Sequence, residues 1–202
     1  MRGSGDVTLR DRHGRTVPLP VDRWFGAIEA VDERVLDAMA HGPVLDVGCG
    51  PGRHVVALAA RGIPALGIDI TAGALDVARG RGACVLRRSV FDRVPAAGRW
   101  AGVLLLDGNV GIGGAPRALL RRVRDLLRPG GTAIVELDAP SQRRTPRLVH
   151  FEVDAVPGPW FTLSAVTVGD IEALARASGF TATNVWHDEG RWFAALQREA
   201  AA

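Results

Sequence analysis

A chain of 202 residues, 47% apolar and 23% charged, has the size and make-up of one globular domain with a single buried core, and is too apolar for a disordered polymer. Its 25 basic side chains are all arginine, so a pI of about 9.9 accompanies a net charge of only +3, a balance that permits an anionic partner without requiring one. No apolar run approaches the roughly 20 residues that span a bilayer, and two cysteines, Cys49 and Cys84, exclude a disulfide framework, so reduced thiols and a cytoplasmic setting are expected.

The first residues, Met1 to Asp6, carry no apolar signal core. Residues 6–20 alternate as Val7, Leu9 and then Val17, Leu19 around His13-Gly14, which predicts a small hairpin that Pro18 and Pro20 confine to a sheet edge. From Asp22 to Ala40, the residues Trp24, Phe25, Ile28, Val31, Val35, Leu36 and Met39 recur at helical spacing, interrupted near Gly26. This N-terminal piece, residues 1–41, is expected to lie over the mouth of the turn that follows.

That turn is the most informative stretch. An apolar strand, Val44 to Val47, runs into Gly48-Cys49-Gly50-Pro51-Gly52 and a helix carrying Val55, Val56, Leu58 and Ala59 until Gly62. Alternate glycines let the backbone bend tightly and let a ligand approach without meeting a Cβ, and the helix start offers unpaired N–H groups. A dinucleotide fingerprint needs Gly-x-Gly-x-x-Gly; here the third glycine comes one residue early and Arg53 holds its place. A carboxylate at Asp46 would repel a pyrophosphate and attract a cation. The glycines with Asp46 closely resemble motif I of the class I S-adenosylmethionine-dependent methyltransferases, whose cofactor has an α-ammonium and a sulfonium and no phosphate.

Strand two, Ala65 to Ile68, ends at Asp69, with Thr71 as the expected cap of the next helix. An acid there can accept hydrogen bonds from both ribose hydroxyls, and Ile70 can pack on adenine. Strand three, Ala83 to Leu86, leads into Arg88-Ser89-Val90-Phe91-Asp92. In the methyltransferases that this chain resembles, an acid in that turn takes the adenine amine. Ser89 stands at the match, so the Val90 N–H and the Phe91 ring are the better candidates. Strand four, Val103 to Leu106, precedes Asp107-Gly108-Asn109-Val110-Gly111-Ile112-Gly113-Gly114, beside the reactive methyl group. A helix with Leu119, Leu120, Val123, Leu126 and Leu127 on one side follows, then Arg128-Pro129-Gly130-Gly131 and strand five, Thr132 to Leu137.

The rhythm changes from Ala139 to Val166, an excursion with four prolines and two short strands, Leu148 to Val153 and Trp160 to Leu163; long excursions of this kind usually carry function. Thr167 with Asp170 suggests a capping box for a helix that Gly179 ends, and Thr183 to Trp186 with Trp192 to Leu196 reads as a hairpin around Asp188-Glu189-Gly190.

The resemblance covers residues 43–138 and implies an α/β fold. Its doubly wound, mostly parallel seven-stranded sheet would have the order 3-2-1-4-5-7-6 and an antiparallel C-terminal hairpin, in one domain spanning 1–202. It implies S-adenosyl-L-methionine as cofactor, with S-adenosyl-L-homocysteine as product, held by Asp46, Gly48, Cys49, Gly50, His54, Asp69, Ile70, Ser89, Val90, Phe91, Asp107, Gly108 and Asn109. The expected reaction is methyl transfer to an O or N atom of a small-molecule acceptor. Alternatives are an RNA or protein methyltransferase and a cofactor-binding protein without catalysis; Arg53 and Asp46 tell against an NAD-dependent dehydrogenase. Trp24, Asn109, Ile112, His150 and Trp160 are the candidates for lining the acceptor site, and His150 and Asp107, with His54, for a general base. No metal is expected, because Ala139 stands where an Asn ligand would accompany Asp107 and Asp138. Solvated arginine faces account for Arg87 and Arg88, for Arg121, Arg122, Arg124 and Arg128, and for Arg143, Arg144 and Arg147, so nucleic acid is not an expected partner. Nor is a membrane, and the chain should be a monomer or homodimer.

Overall fold

The computed structural model describes residues 7–39, 41–140 and 147–199. Met1 to Asp6, the end of the first predicted helix at Ala40, and Arg143, Arg144 and Pro146 of the excursion lie outside the described residues. In chain order, β1 (Val7–Asp11) and β2 (Thr16–Pro18) form the N-terminal hairpin. The helix after it divides at Gly26 into α1 (Val21–Phe25) and α2 (Ala30–Asp37). Then β3 (Val44–Val47), α3 (Arg53–Ala60), β4 (Ala65–Asp69), α4 (Ala72–Gly80), β5 (Val85–Arg87), β6 (Trp100–Leu105), α5 (Pro116–Leu126) and β7 (Leu127–Leu137) alternate. The excursion supplies β8 (Arg147–Val153), β9 (Val156–Pro157) and β10 (Phe161–Leu163), and the chain closes with α6 (Ile171–Arg176), β11 (Phe180–Asp188) and β12 (Arg191–Arg198).

The main sheet has seven strands in the order β11-β12-β7-β6-β3-β4-β5. Five are parallel, while β12 runs antiparallel to β7 and β11 antiparallel to β12. This is the predicted order 3-2-1-4-5-7-6 with its antiparallel C-terminal pair. Because the winding reverses at β3, the turns after β3 and β6 open together into one crevice at the carboxyl ends of the strands.

Side chains alternate across the sheet. Leu45, Val47, Val103, Leu105 and Val135 face α5 and α6, packing on Leu119, Leu120, Val123 and Ile171. Val44, Leu104, Leu106, Ile134 and Phe193 face the other way, onto Val31, Val35 and Leu36 of α2 and Leu58 of α3. Each fully buried leucine or valine contributes about 1.5–3 kcal/mol relative to exposure, which is why continuous apolar runs make the central strands.

Several local expectations change. The strand expected from Thr132 begins at Leu127, which already pairs with Trp100. Cys84, expected in a buried strand, precedes β5 and is exposed. Thr71 occupies the N-cap of α4 without a side-chain cap bond. Thr167 donates its hydroxyl to Asp170 at 2.6 Å rather than capping α6. The largest addition is a second sheet. β1 pairs with β8, so the N-terminal hairpin and the excursion form one antiparallel sheet in the order β10-β8-β1-β2, with β9 on β8. Ile112 bridges to Leu163, the Ser164 N–H donates to the Gly111 carbonyl at 3.0 Å, and its hydroxyl donates to that of Gly114 at 2.9 Å, so this sheet is tied to the loop after β6.

Candidate active site

The same alternation that sorts the core sorts the polar groups. Asp46 shares the face of Val44, Glu136 that of Ile134, and Arg191 that of Phe193, so three strands direct charged side chains to the α2 side at the crevice end of the sheet. Asp32 of α2 and Arg53 and His54 of α3 meet them there. Arg53 Nη1 is paired with Asp32 Oδ2, while Arg53 Nη2 lies 3.2 Å from Asp107 Oδ2. Arg191 Nη1 bonds Asp32 Oδ1 at 2.9 Å, and its other nitrogens fork onto Glu136 at 2.9 and 2.7 Å. Glu136 also accepts the Asp107 N–H at 2.6 Å. Asp107 itself is held at φ +54, a left-handed conformation that Asp tolerates better than most residues but still at a cost.

Burial works against ionising Asp32, yet His54, Arg53 and Arg191 outweigh it and keep the carboxyl well below its usual range. Burial also opposes the charge on His54, but Asp32 and Asp46, 3.5 and 3.7 Å from its ring nitrogens, hold it up at about 9. Asp107 is pushed upward, first by burial and then by Glu136, with Arg53 acting against both. Counting Glu29, which lies 3.3 Å from Arg23 and 3.5 Å from Arg191, five carboxyl groups face four cations, and Asp46 Oδ2 is enclosed without a hydrogen-bond donor. The centre therefore carries an acidic surplus.

Above it the glycine turn is open where a ligand would need it. A Cβ built on Gly50, at φ +50, meets nothing within 4 Å, whereas one on Gly48 would strike the Asn109 side chain at 2.5 Å. Asp69 supports the turn: Oδ2 accepts the Gly50 N–H at 2.9 Å and Oδ1 that of Thr71 at 2.8 Å. Asn109 closes it from the other side, donating to the carbonyls of Val47 and Gly48 at 3.0 Å each. Asn109→Ala is expected to destabilise the fold by about 1–3 kcal/mol, since two carbonyls lose their donor; urea unfolding measures this, and an unchanged midpoint would contradict it.

The remaining candidates fall into distinct places. Ile70 and Phe91 are exposed, at 61% and 49%, at the carboxyl ends of β4 and β5. Ser89 Oγ accepts the Phe91 N–H at 3.3 Å, and the Val90 side chain is buried in the core. Gly108 follows Asp107 at φ +80. Cys49 packs its sulfur against Gly67, and burial, then Asp46 and Asp69, drive its thiol pKa upward, which disfavours the thiolate form. His54 is enclosed among Asp32, Asp46 and Arg53. His150 lies in the second sheet, its ring 4.3 Å from that of the half-exposed Trp160, and Trp24 is half-buried with an enclosed, unpartnered indole N–H. Among the described residues no group of three His, Cys, Asp or Glu is arranged to hold a metal, and no helix is long and apolar enough to cross a membrane.

Asp32, Glu136 and Arg191 were not among the sequence candidates. Asp32 had a readable signal: it sits beside Val31 and one turn before Val35 and Leu36, an acid on an apolar helix face. Glu136 is likewise the single acid among the apolar residues Ala133 to Leu137. Arg191, at a hairpin, has none.

Residues 44–131 match the family model described as a methyltransferase domain. Among solved structures, the chain is similar to an S-adenosylmethionine-dependent methyltransferase from Bacteroides fragilis in complex with S-adenosyl-L-homocysteine. Identity is 22%, coverage 98% of this chain and 90% of that one, and the TM-score 0.81. It is also similar to the Burkholderia thailandensis 1,6-didemethyltoxoflavin-N1-methyltransferase with bound 1,6-didemethyltoxoflavin and S-adenosylhomocysteine (19% identity, 84% and 77% coverage, TM-score 0.62). A third is an amino pentose methyltransferase from Micromonospora echinaspora involved in calicheamicin biosynthesis, with S-adenosylmethionine bound (19% identity, 88% and 94% coverage, TM-score 0.66). No curated protein sequence matches the chain.

Proposed function

We propose that this chain, which has the Rossmann-like fold of the class I methyltransferases, is an S-adenosylmethionine-dependent enzyme that methylates an O or N atom of a small-molecule acceptor. The observation that carries the reading is an acidic surplus beneath a glycine turn with open space at Gly50. That combination suits a cationic, phosphate-free ligand and disfavours a pyrophosphate.

S-adenosylmethionine supplies a methyl group activated by its sulfonium. The chain's own task is to bind and align. Asp69, with lone pairs left after two backbone bonds, accepts the ribose hydroxyls. Ile70 and Phe91 give adenine apolar faces. Asp46 and Asp107 provide negative potential for the ammonium and sulfonium, with Gly50 and Gly108 leaving the approach clear and Gly48 making room for the Asn109 side chain that closes the turn. Alignment of donor and acceptor is worth on the order of 7 kcal/mol or more. The second sheet, joined to the loop after β6 at Ile112, forms the acceptor side with Trp24 and Trp160, and there His150 takes a proton when the acceptor must lose one. Solved neighbours described as a 1,6-didemethyltoxoflavin-N1-methyltransferase and as an amino pentose methyltransferase support a small-molecule acceptor. In this reading the protein works as a monomer or homodimer, without nucleic acid or membrane, in the cytoplasm.

Calorimetric titration with S-adenosylhomocysteine, NAD and RNA tests this: only the first should bind at the turn, and NAD binding in its place would sink the reading. Asp69→Ala should weaken S-adenosylhomocysteine binding by about 1.5–3 kcal/mol, through the ribose bonds and the freed Gly50 N–H. Unchanged affinity would put the ribose elsewhere.

A further inference from the structure

We propose that Asp32 is a positioning residue: through Arg53 and Arg191 it fixes the carboxylate of Asp107, so that ligand binding at the glycine turn depends on the seating of α2. The inference rests on the methyltransferase reading for its probe ligand, S-adenosylhomocysteine.

Asp32 is fully buried and touches no open space. Both its oxygens are occupied, Oδ2 by Arg53 and by the Glu29 N–H at 3.2 Å, and Oδ1 by Arg191 at 2.9 Å. The far ends of the same two guanidinium groups converge on a single carboxylate: Arg53 Nη2 lies 3.2 Å from Asp107 Oδ2 and Arg191 Nη2 3.5 Å from Asp107 Oδ1. Glu136 completes the clamp by holding Arg191 at two nitrogens and Asp107 at its N–H. Asp32 and Asp107 share no contact of their own, yet each is oriented by the same pair of arginines.

The distribution of exposure gives this arrangement a direction. The side chains of Asp32 and Asp46 are 0% and 2% exposed, while those of Asp107 and Glu136 are 16% and 13% exposed and that of Glu29 is 38%, so Asp32 lies at the closed end of the network and Asp107 at its partly open end, at the loop after β6. Burying so many charges is poor value for stability alone, because well-packed apolar residues stabilise as well or better. What an ion network provides is a defined geometry. Without the Asp32 charge, Arg53 would keep Asp107 as its one carboxylate partner and Arg191 would keep Asp107 beside Glu136 and Glu29, so the hold on Asp107 from the α2 side would be lost and the acidic surplus that draws a cation would shrink.

The test is a double-mutant cycle on the full chain, comparing wild type, Asp32→Asn, Asp107→Asn and the double variant by S-adenosylhomocysteine titration, with urea unfolding of each. Each single variant is expected to weaken binding by about 3- to 30-fold, and the double variant no more than Asp107→Asn alone. Losses that multiply, or wild-type affinity in Asp32→Asn, overturn the proposal, because a purely structural helix pin would lower stability without this non-additivity. If Asp32→Asn does not fold, Arg191→Lys, which keeps a charge beside Asp32 but loses the fork on Glu136, takes its place in the cycle with the same expectation. If wild type binds no S-adenosylhomocysteine, the methyltransferase reading fails, and the urea cycle still decides the coupling: an interaction energy of zero between Asp32 and Asp107 overturns it.

Discussion

Raising the pH from about 6.5 to above about 9 is expected to cost the folded chain about 3 kcal/mol through His54 alone. The folded-state value is raised above the ordinary 6.5, so the stabilisation from the imidazolium is complete below 6.5 and is lost as pH rises through about 9. Asp32 acts at the other end. Its depressed carboxyl stabilises above the usual carboxylate range, and that contribution disappears as pH falls into acid. Neither lysine nor tyrosine occurs in the sequence, and the Cys49 thiol, raised by burial, adds its own loss only above the ordinary thiol value of about 8.5. Urea unfolding at a series of pH values should show the alkaline fall, and His54→Gln should remove the part of it below about 8.5. A wild-type profile flat across the window, or an unchanged fall in the variant, would show that the imidazole is not held charged between Asp32 and Asp46.

Gly50→Val is expected to abolish ligand binding while leaving the fold in place. A Cβ at this position has no protein atom within 4 Å, so the substitution clashes with nothing in the chain. Its cost to stability is the left-handed backbone at φ +50, about 1–3 kcal/mol for a non-glycine residue. Its cost to binding is larger, because the branched side chain fills the space the turn leaves free; we expect S-adenosylhomocysteine affinity to drop by at least about 100-fold. Circular dichroism and calorimetry on one sample separate the two effects. Normal uptake by a folded Gly50→Val protein would mean that the ligand does not cross the turn at all. Gly48→Ala makes a useful contrast, since there the new carbon meets Asn109 and the damage falls on the turn itself.

The sequence by itself determined the parallel core and the chemical character of the turn. Both are local: the buried strands are apolar runs of four to six residues between helix signals, and Asp46, Gly48, Gly50 and Asp69 sit at spacings that a strand, a tight turn and a second strand impose. The order of the strands followed from the family resemblance, and the structure has it. Two features were decided only by the tertiary structure. The N-terminal hairpin and the excursion each read as separate small elements, because edge strands pair through backbone groups that carry no sequence mark; only the register of Leu9 against Phe151 and of Arg10 against His150 joins them. The charged centre is the second. Asp32 and Arg191 lie 159 residues apart, and what brings them together is the antiparallel return of β12 beside β7, which sets the start of one strand against the end of the other. Periodicity can mark an acid on an apolar helix face, but the partner that makes its burial tolerable is chosen by topology.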